Sequence, residues 1–386
     1  MIVGVMGTAL ITPLYALYKE AWHLQASDIS LVYVIYMGGA LCALLSVGRL
    51  PDRLGFGKVL RWGLSLAMAG TFVSLLARNM AVLSAGRFLV GIASSMVVTS
   101  AASGFSKLGG TANPQRMATL NSFLIAFGFG LGPLLGGAMG QWAPAPLVTT
   151  YVPTLVLGTI ALVGLGRIQL PEDPSRPSAA LGWRDLLPRF TWPAAADSRA
   201  FLLTSVLPFV SFGVFGLYAS MAPLFLDKLV PWHGPVVSGT AVAFILMSSA
   251  VVQVVASRVP THWCGCFGML GLAASNALLM ANLWAGSSTL FVLGVLFTAA
   301  GHGMSMLAGM SMVTRLAPPG KRSGLIASYL VAGYVGSMVP MLGVGWIADH
   351  WGLNAAVSIF CAFVIATGVT VAVLFQRHPR MRPQEA

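Results

Sequence analysis

The sequence predicts an all-α integral membrane protein with twelve transmembrane helices in two pseudo-symmetric six-helix bundles. Hydrophobic residues make up 57% of the 386 residues and charged residues only 8%, so the chain lacks the polar surface that a soluble domain exposes. Apolar segments of about 20 residues, the length that spans a bilayer, recur along the whole chain. One long polar break near the middle divides these segments into two sets of six.

Each apolar segment is predicted to form one spanning helix. The predicted spans cover residues 1–19, 28–48, 59–77, 80–105, 116–140, 146–167, 201–226, 236–257, 264–284, 288–314, 322–347 and 354–376. The first segment has neither a basic leading region nor a small-residue cleavage site before Lys19. We therefore expect a retained helix rather than a signal peptide.

The break between the sixth and seventh spans is rich in proline, serine and charge. It divides the chain into an N-terminal bundle at 1–167, a cytoplasmic linker at 168–200, a C-terminal bundle at 201–376 and a cytoplasmic tail at 377–386. Within the linker, LGWRDLLPRF (181–190) could form a short amphipathic helix on the membrane surface.

Basic residues are distributed unevenly between the two sides of the membrane. The net charge is +12, from 22 Lys and Arg against 10 Asp and Glu. With the N-terminus in the cytoplasm, eighteen basic residues fall on the inner side, and only Lys19, Arg78 and Lys228 fall outside. This asymmetry follows the positive-inside rule and argues against nucleic acid as a partner. We expect a multi-pass protein of the bacterial inner membrane with both termini in the cytoplasm.

The two halves also share short sequence patterns at similar offsets. Arg49-Leu-Pro51 and Arg258-Val-Pro260 lie 209 positions apart, and Pro133-Leu-Leu-Gly136 and Pro340-Met-Leu-Gly343 lie 207 apart. These offsets indicate duplication of a six-helix unit, as in many secondary transporters.

The loop GRLPDRLGFGKVL (48–60) joins the second and third spans. Gly48 and Gly55 permit tight backbone paths where the chain turns at the membrane edge. There the carboxylate of Asp52 can face a helix N-terminus, and Arg53 can pair with a neighbour. Such a cluster can hold the two halves together on the cytoplasmic side in one state. The alternative is a solvated turn without a gating role.

Small residues dominate part of the fifth span, where GFGLGPLLGG (128–137) holds five glycines and a proline in ten positions. Gly128, Gly132 and Gly136 are spaced by four, which forms a face that another helix can approach closely. Pro133 is expected to kink the helix because it leaves a backbone carbonyl unpaired. A phosphate-binding loop is excluded, since no strand precedes the glycines and no Lys or Ser/Thr follows them. Packing without a part in any conformational change is the open alternative.

Three stretches carry a resemblance to a known family. The loop is similar to G-x-L-a-D-R-x-G-r-k-x-x-L at Gly48, Leu50, Asp52, Arg53, Gly55 and Leu60, but departs from it at Phe56 and Gly57. The fourth span, LSAGRFLVGIA (83–93), resembles l-x-x-x-R-x-x-q-G at Leu83, Arg87 and Gly91. The fifth span fits G-x-x-x-G-P-x-x-G-G at Gly128, Gly132, Pro133, Gly136 and Gly137. The chain thus resembles the major facilitator superfamily over essentially its full length, and in particular its twelve-helix drug and metabolite:proton antiporters.

The resemblance implies two six-helix bundles that give alternating access to a central site, with no enzymatic activity and no cofactor. It also implies gating roles for the loop residues, for Arg87 and Gly91, and for the glycines and proline of the fifth span.

Few ionisable residues fall within the spans. All ten acidic residues map to loops, the tail or span ends. Many proton-coupled drug exporters of the family carry an acid at mid-membrane, so its absence weakens the case for a cationic substrate. Arg87 and His302 remain, and a charge at that depth faces a cavity or a partner. His302, between Gly301 and Gly303 that open space around the ring, is the candidate for proton coupling because imidazole titrates at about pH 6.5. The alternative is a neutral histidine hydrogen-bonded to a neighbouring helix.

Other polar residues are candidates for lining a central substrate path. They are Thr12, Tyr15, Tyr36, Asn121, Tyr218, Gln253 and Tyr329. For each of them, an interhelical hydrogen bond is the alternative. The four cysteines are predicted to be structural filler, and their spacing predicts no metal site.

These observations predict a secondary active transporter that exports a small neutral or anionic organic molecule in exchange for protons by alternating access. Uptake by proton symport is the alternative within the same class. An integral membrane enzyme or sensor is the alternative of another class, but the sequence offers it no intramembrane acid pair and no sizeable soluble domain. We expect a monomer in the lipid bilayer whose other partners are its small-molecule substrate and protons.

Overall fold

The computed structural model describes residues 1–48, 50–108, 114–168, 190–318 and 322–381. We number its twelve long helices α1–α12. The first six are α1 (Ile2–Ala9, a 3-10 turn at Thr12–Leu14, and Tyr15–Trp22), α2 (Ala26–Ser46), α3 (Phe56–Leu75), α4 (Met80–Leu108), α5 (Pro114–Trp142) and α6 (Val152–Arg167). The second six are α7 (Ser198–Gly216, a π-helical turn at Leu217–Met221, and Ala222–Leu229), α8 (Pro235–Val255), α9 (Thr261–Ala285), α10 (Ser288–Leu316), α11 (Arg322–Trp351) and α12 (Leu353–Arg377).

Within the described residues, eleven helices are long and apolar enough to cross a membrane. The twelfth, α3, has 20 residues, but Lys58 and Arg61 near its start lower its hydropathy. Twelve spanning helices in an all-α fold are therefore confirmed, with ends displaced by a few residues from the predicted ones. The predicted surface helix at 181–190 lies outside the described residues, apart from Phe190.

The helices pack as two halves whose largest mutual contacts lie along two helix pairs. In the first half, α4 packs against α2 and α3, and α1 packs against α5. In the second half, α9 packs against α10 and α12, and α7 packs against α10 and α11. Contacts of α2 with α11 and of α5 with α8 join the halves. Because the number of spans is even, both termini lie at one end of the bundle, and we call the opposite end the distal end.

The glycines of α5 lie against helices from both halves. On one face, which carries Gly128, Gly132 and Gly136, a Cβ at Gly136 would overlap the carbonyl oxygen of Leu10 in α1. On another face, a Cβ at Gly137 would lie 2.9 Å from a backbone carbonyl oxygen of α8. The helix is continuous through Pro133. The missing side chains of α5 therefore let two backbones approach it closely.

Glycine also brings α2 and α4 together. A Cβ at Gly91 of α4 would lie 2.9 Å from the amide nitrogen of Ala40 in α2. This approach places α4 deep in the first half, with its polar residues at the centre of the bundle.

Replacing Gly136 with alanine is expected to destabilise the protein by about 1–3 kcal/mol, because the added methyl group overpacks the α1–α5 contact. The measurement is the free energy of unfolding of the purified protein in detergent.

Gly343 is the matched control, since it holds the corresponding position in the second half and nothing lies within 4 Å of a Cβ placed there. Gly343→Ala is expected to be neutral or slightly stabilising, because alanine is the better helix former. Equal losses in both variants would contradict close packing of α5 on α1.

Candidate substrate site at the centre of the bundle

Arg87 of α4 is buried inside the first half, with 3% of its surface exposed. Its guanidinium donates to the carbonyl oxygen of Gly7 at 3.3 Å and to that of Thr8. The ring of Tyr36 lies over it, with the guanidinium carbon 4.5 Å from the ring centroid, and Tyr15 lies beside it. The Nε–H group has no hydrogen-bond partner among the described residues. Backbone dipoles and aromatic rings therefore hold this cation.

The carbonyl groups that receive the guanidinium are free because α1 is interrupted. Its first helical segment, Ile2–Ala9, is followed by a 3-10 turn that contains Pro13. Proline has no N–H group to bond to the preceding turn. The carbonyl groups in the last turn of a helix lack intrahelical partners and favour a cation beside them. The break in α1 thus creates the place that Arg87 occupies.

His302 of α10 lies in the facing half, with 9% of its surface exposed. Its Nδ1 is 2.8 Å from the hydroxyl oxygen of Ser249 in α8. The imidazole stacks on Phe212 of α7, with ring centroids 6.4 Å apart, and Phe215 lies 6.3 Å away. The bond to Ser249 matches the alternative set out for a neutral histidine, and proton coupling through His302 stays a prediction.

The expectation that Gly301 and Gly303 open space around the histidine is wrong. A Cβ at Gly301 would lie 2.7 Å from the amide nitrogen of Leu272 in α9, and one at Gly303 would lie 2.6 Å from the carbonyl oxygen of Ser249. The two glycines instead admit the backbones of the neighbouring helices.

Arg87 and His302 do not touch, because aromatic side chains stand between them. Tyr334 of α11 lies near Tyr36, and it meets Phe212 edge to face with ring centroids 5.9 Å apart. We call Tyr36, Tyr334 and Phe212 the aromatic row. It crosses from the guanidinium in one half to the imidazole in the other.

Two of the predicted path residues lie outside this centre. Tyr218 is 2% exposed and lies beside Thr298, inside the second half. Tyr329 is fully buried in a separate apolar cluster with Phe201. Both rings fill space between helices of one half, which places them away from a path between the halves.

The other path candidates differ in their surroundings. Tyr15 and Tyr36 gather at Arg87, as described above. Thr12 is 4% exposed in the turn that interrupts α1. Asn121 is partly buried and its Oδ1 has no partner among the described residues, while Gln253 is partly buried on α8. A substrate contact for any of them stays a prediction.

The predicted gating loop follows the end of α2. The helix α2 ends at Ser46, and Gly48 follows it. A short helix at Leu50–Leu54 leads to Gly55, which directly precedes α3 and has a φ of 100°, a value that favours glycine. Arg53 is exposed. The side chain of Asp52 lies outside the described residues, so its contact with a helix N-terminus stays a prediction.

The chain matches the sequence model of a known protein family. The model of the Major Facilitator Superfamily matches residues 1–265 and 232–386. The chain belongs to the major facilitator superfamily. Proteins of this family are membrane transporters and not enzymes.

Two bacterial drug-resistance proteins of this superfamily resemble the chain in sequence. Quinolone resistance protein NorA of Staphylococcus aureus (strain MRSA252) is 25% identical over 219 residues, which are 55% of this chain and 53% of NorA. The chain thus spans about half the length of NorA. Multidrug resistance protein MdtL of Escherichia coli O81 (strain ED1a) is 24% identical over 383 residues, 91% of this chain and 88% of MdtL.

Solved structures of the superfamily share the fold at low sequence identity. A bacterial homolog of the human lysosomal transporter Spinster, in an inward-facing and occupied conformation, has a TM-score of 0.76 at 13% identity and covers 100% of this chain and 96% of its own. A D-xylose–proton symporter has a TM-score of 0.73 at 14% identity, with 98% and 95% covered.

A contact that the sequence did not predict joins the two halves at the distal end of the bundle. The carboxylate of Asp349, at the end of α11, accepts hydrogen bonds from the amides of Ala26 at 2.8 Å and Ser27 at 3.2 Å, in the first turn of α2. Deeper in the same pair of helices, the hydroxyl groups of Tyr33 and Ser337 are 2.6 Å apart. Asp349 is thus a charged cap that one half places on a helix of the other.

Asp349→Asn is expected to raise the fraction of transporter that is open at the distal end about tenfold. A charge-assisted hydrogen bond contributes about 1.5–3 kcal/mol, and losing about half of that shifts an equilibrium by roughly this factor. With the exposed Cys42 replaced, a cysteine at Ser30, which is fully buried between α2 and α11, reports opening through its rate of maleimide labelling.

Asp28→Asn is the matched control, because the Asp28 carboxylate accepts from the amide of Gln25 at the same helix end, at 2.9 Å, without joining the halves. Labelling at the unmodified rate is expected for it. If both variants labelled equally fast, fraying of α2 rather than loss of a cap between the halves would be the cause.

Proposed function

We propose that this protein is a proton-coupled exporter of a small neutral or anionic organic molecule that works by alternating access. The observation that carries export is the sequence similarity to NorA and MdtL, which are named for resistance to quinolones and to multiple drugs. Resistance of that kind is typical of outward transport. The same fold serves a D-xylose–proton symporter, so inward symport is the competing outcome of the tests below.

The contacts between the halves support the alternating-access part of the proposal. With both termini in the cytoplasm, the end closed by Asp349 faces outward. The α2–α11 contacts at that end would separate in an outward-open state, while the glycine faces of α5 would stay packed. The loop at 48–60, with Asp52 and Arg53, would close the cytoplasmic end in turn.

Proton coupling is assigned to His302 in this proposal. Arginine stays charged at all physiological pH values, so Arg87 cannot carry a proton through the cycle. No acidic residue lies near the middle of a predicted span, since all ten map to loops, the tail or span ends. Histidine can exchange protons near neutral pH, and the Ser249 hydroxyl can accept from or donate to Nδ1, which accommodates both protonation states.

The orientation is tested by fusing a phosphatase that is active only in the periplasm after residue 378. Very low activity is expected, because an even number of spans returns the chain to the cytoplasm. A fusion at residue 144, in the loop before α6, is the matched control and is expected to be active. High activity after residue 378 would contradict the even count.

His302→Gln is expected to abolish the dependence of transport on a pH gradient while leaving counterflow exchange of substrate within a few-fold. Glutamine keeps hydrogen-bonding groups of similar reach toward Ser249 but cannot carry the proton. Accumulation of fluorescent compounds into inverted vesicles, with and without an imposed gradient, is the measurement. Transport without any gradient dependence in the unmodified protein would remove coupling from the proposal.

His350→Gln is the control, since His350 is exposed at the end of α11 and bonds only to its own helix. Accumulation against a gradient that survives in His302→Gln would make this histidine a packing residue. Uptake driven inward by the same gradient in right-side-out vesicles would favour symport over export.

A further inference from the structure

The most unusual group in the membrane interior is the Arg87 guanidinium, because it has no counter-charge. Among the described residues, its partners are two backbone carbonyl oxygens, the Tyr36 ring and the Tyr15 side chain, and its Nε–H group is buried without a hydrogen-bond partner. All acidic residues of the chain map to loops, the tail or span ends. Burying an N–H group of a cation without a hydrogen-bond acceptor costs free energy, and a bound anion can supply that acceptor.

The surfaces next to this cation are aromatic. Tyr36 lies over the guanidinium, and the remaining members of the aromatic row, Tyr334 and Phe212, lead toward His302. Phe212, Phe215 and Tyr334 are only partly buried, although they lie near the middle of α7 and α11. Aromatic side chains that are not fully covered suit a planar aromatic group, which stacks on a ring or meets it edge to face.

We propose that Arg87 and the aromatic row form the binding site for an aromatic organic anion, with the carboxylate or a similar anionic group on Arg87 and its ring on Tyr334 and Phe212. This inference deepens the proposed function and rests on it. The Nε–H group and a terminal N–H of arginine form a fork that matches a carboxylate. A cationic substrate is disfavoured, since the site holds a permanent positive charge and no carboxylate to balance a second one.

The position of Tyr36 adds a conformational requirement. Its ring covers the guanidinium and is 7% exposed, so an anion reaches Arg87 only when this ring moves aside. Tyr36 lies on α2, the helix that Asp349 caps from the other half. Anion binding and rearrangement of the α2–α11 contact thus both involve α2.

Binding to the purified protein in detergent tests the site without requiring transport. Calorimetric titrations at about pH 8, where carboxylic acids are ionised, compare naphthoate with the neutral naphthamide and with the aliphatic cyclohexanecarboxylate. Naphthoate is expected to bind at least about tenfold more tightly than either of the other two. Naphthamide binding as tightly as naphthoate would overturn the anion site, and cyclohexanecarboxylate binding as tightly would overturn the aromatic part.

Variants assign the two parts of the site to residues. Arg87→Gln is expected to weaken naphthoate binding at least about tenfold and to leave naphthamide unchanged. The matched control is Arg61→Gln, because Arg61 also donates to backbone carbonyl oxygens, those of Leu165 and Ile168, but lies outside the centre. An equal loss of naphthoate binding in both variants would overturn the role of Arg87.

A second pair of variants keeps the test decisive if loss of Arg87 prevents folding. Tyr334→Leu is expected to weaken naphthoate binding several-fold and to leave cyclohexanecarboxylate unchanged, while Tyr334→Phe keeps the ring and the affinity. Unchanged naphthoate affinity in Tyr334→Leu would overturn the placement of the ring. Transport in proteoliposomes distinguishes failure of the aromatic-anion site from failure of the proposed function. Naphthoate binding without pH-driven transport would contradict the proposed function alone. Transport of neutral compounds driven by a pH gradient, without naphthoate binding, would contradict the aromatic-anion site alone.

Discussion

The bilayer supplies no water to the backbone, so each interrupted or exposed helix end must find its hydrogen-bond partners within the protein. This constraint places the polar residues that matter most. The first helical segment of α1 ends at Ala9, so carbonyl groups in its last turn lack intrahelical partners, and Arg87 donates to two of them. The first turn of α2 offers free amides, and Asp349 meets them from the other half. A cation at a helix C-terminus and an anion at a helix N-terminus follow the direction of the helix dipole.

The two halves carry related sequence patterns but use them differently. Gly136 lies where α5 packs closely on α1, whereas the corresponding Gly343 has open space around it. Related sequence patterns in the two halves therefore form helices that pack differently. In the second half, glycines instead flank His302, where Gly301 and Gly303 allow the backbones of α9 and α8 to approach closely. Similar composition thus supports a contact that joins α1 to α5 in one half and a tightly packed histidine in the other.

The spans and the rarity of buried charge could be predicted from the sequence because both depend on local composition. Arg87 and His302 were found for that reason. Asp349 was not, since an acid at the end of a span has no local pattern that names its partner. Tyr334 and Phe212 were missed because aromatic residues occur throughout the apolar spans, and only the packing of α7 against α11 singles them out. Tyr218 and Tyr329 were predicted to line a path because helix periodicity alone does not distinguish a face toward the other half from a face toward a neighbour.

The cap on α2 has a consequence for the balance between states. The Asp28 carboxylate bonds to Gln25 at the start of its own helix, so at this helix end separation of the halves releases the two amides that Asp349 holds. Water can take over these bonds when the halves separate, so the net cost is about 1.5–3 kcal/mol for a charge-assisted bond and not its full strength. The helix itself does not need to unwind. A ligand whose affinity for the two states differs by a similar free energy can therefore shift the balance between them.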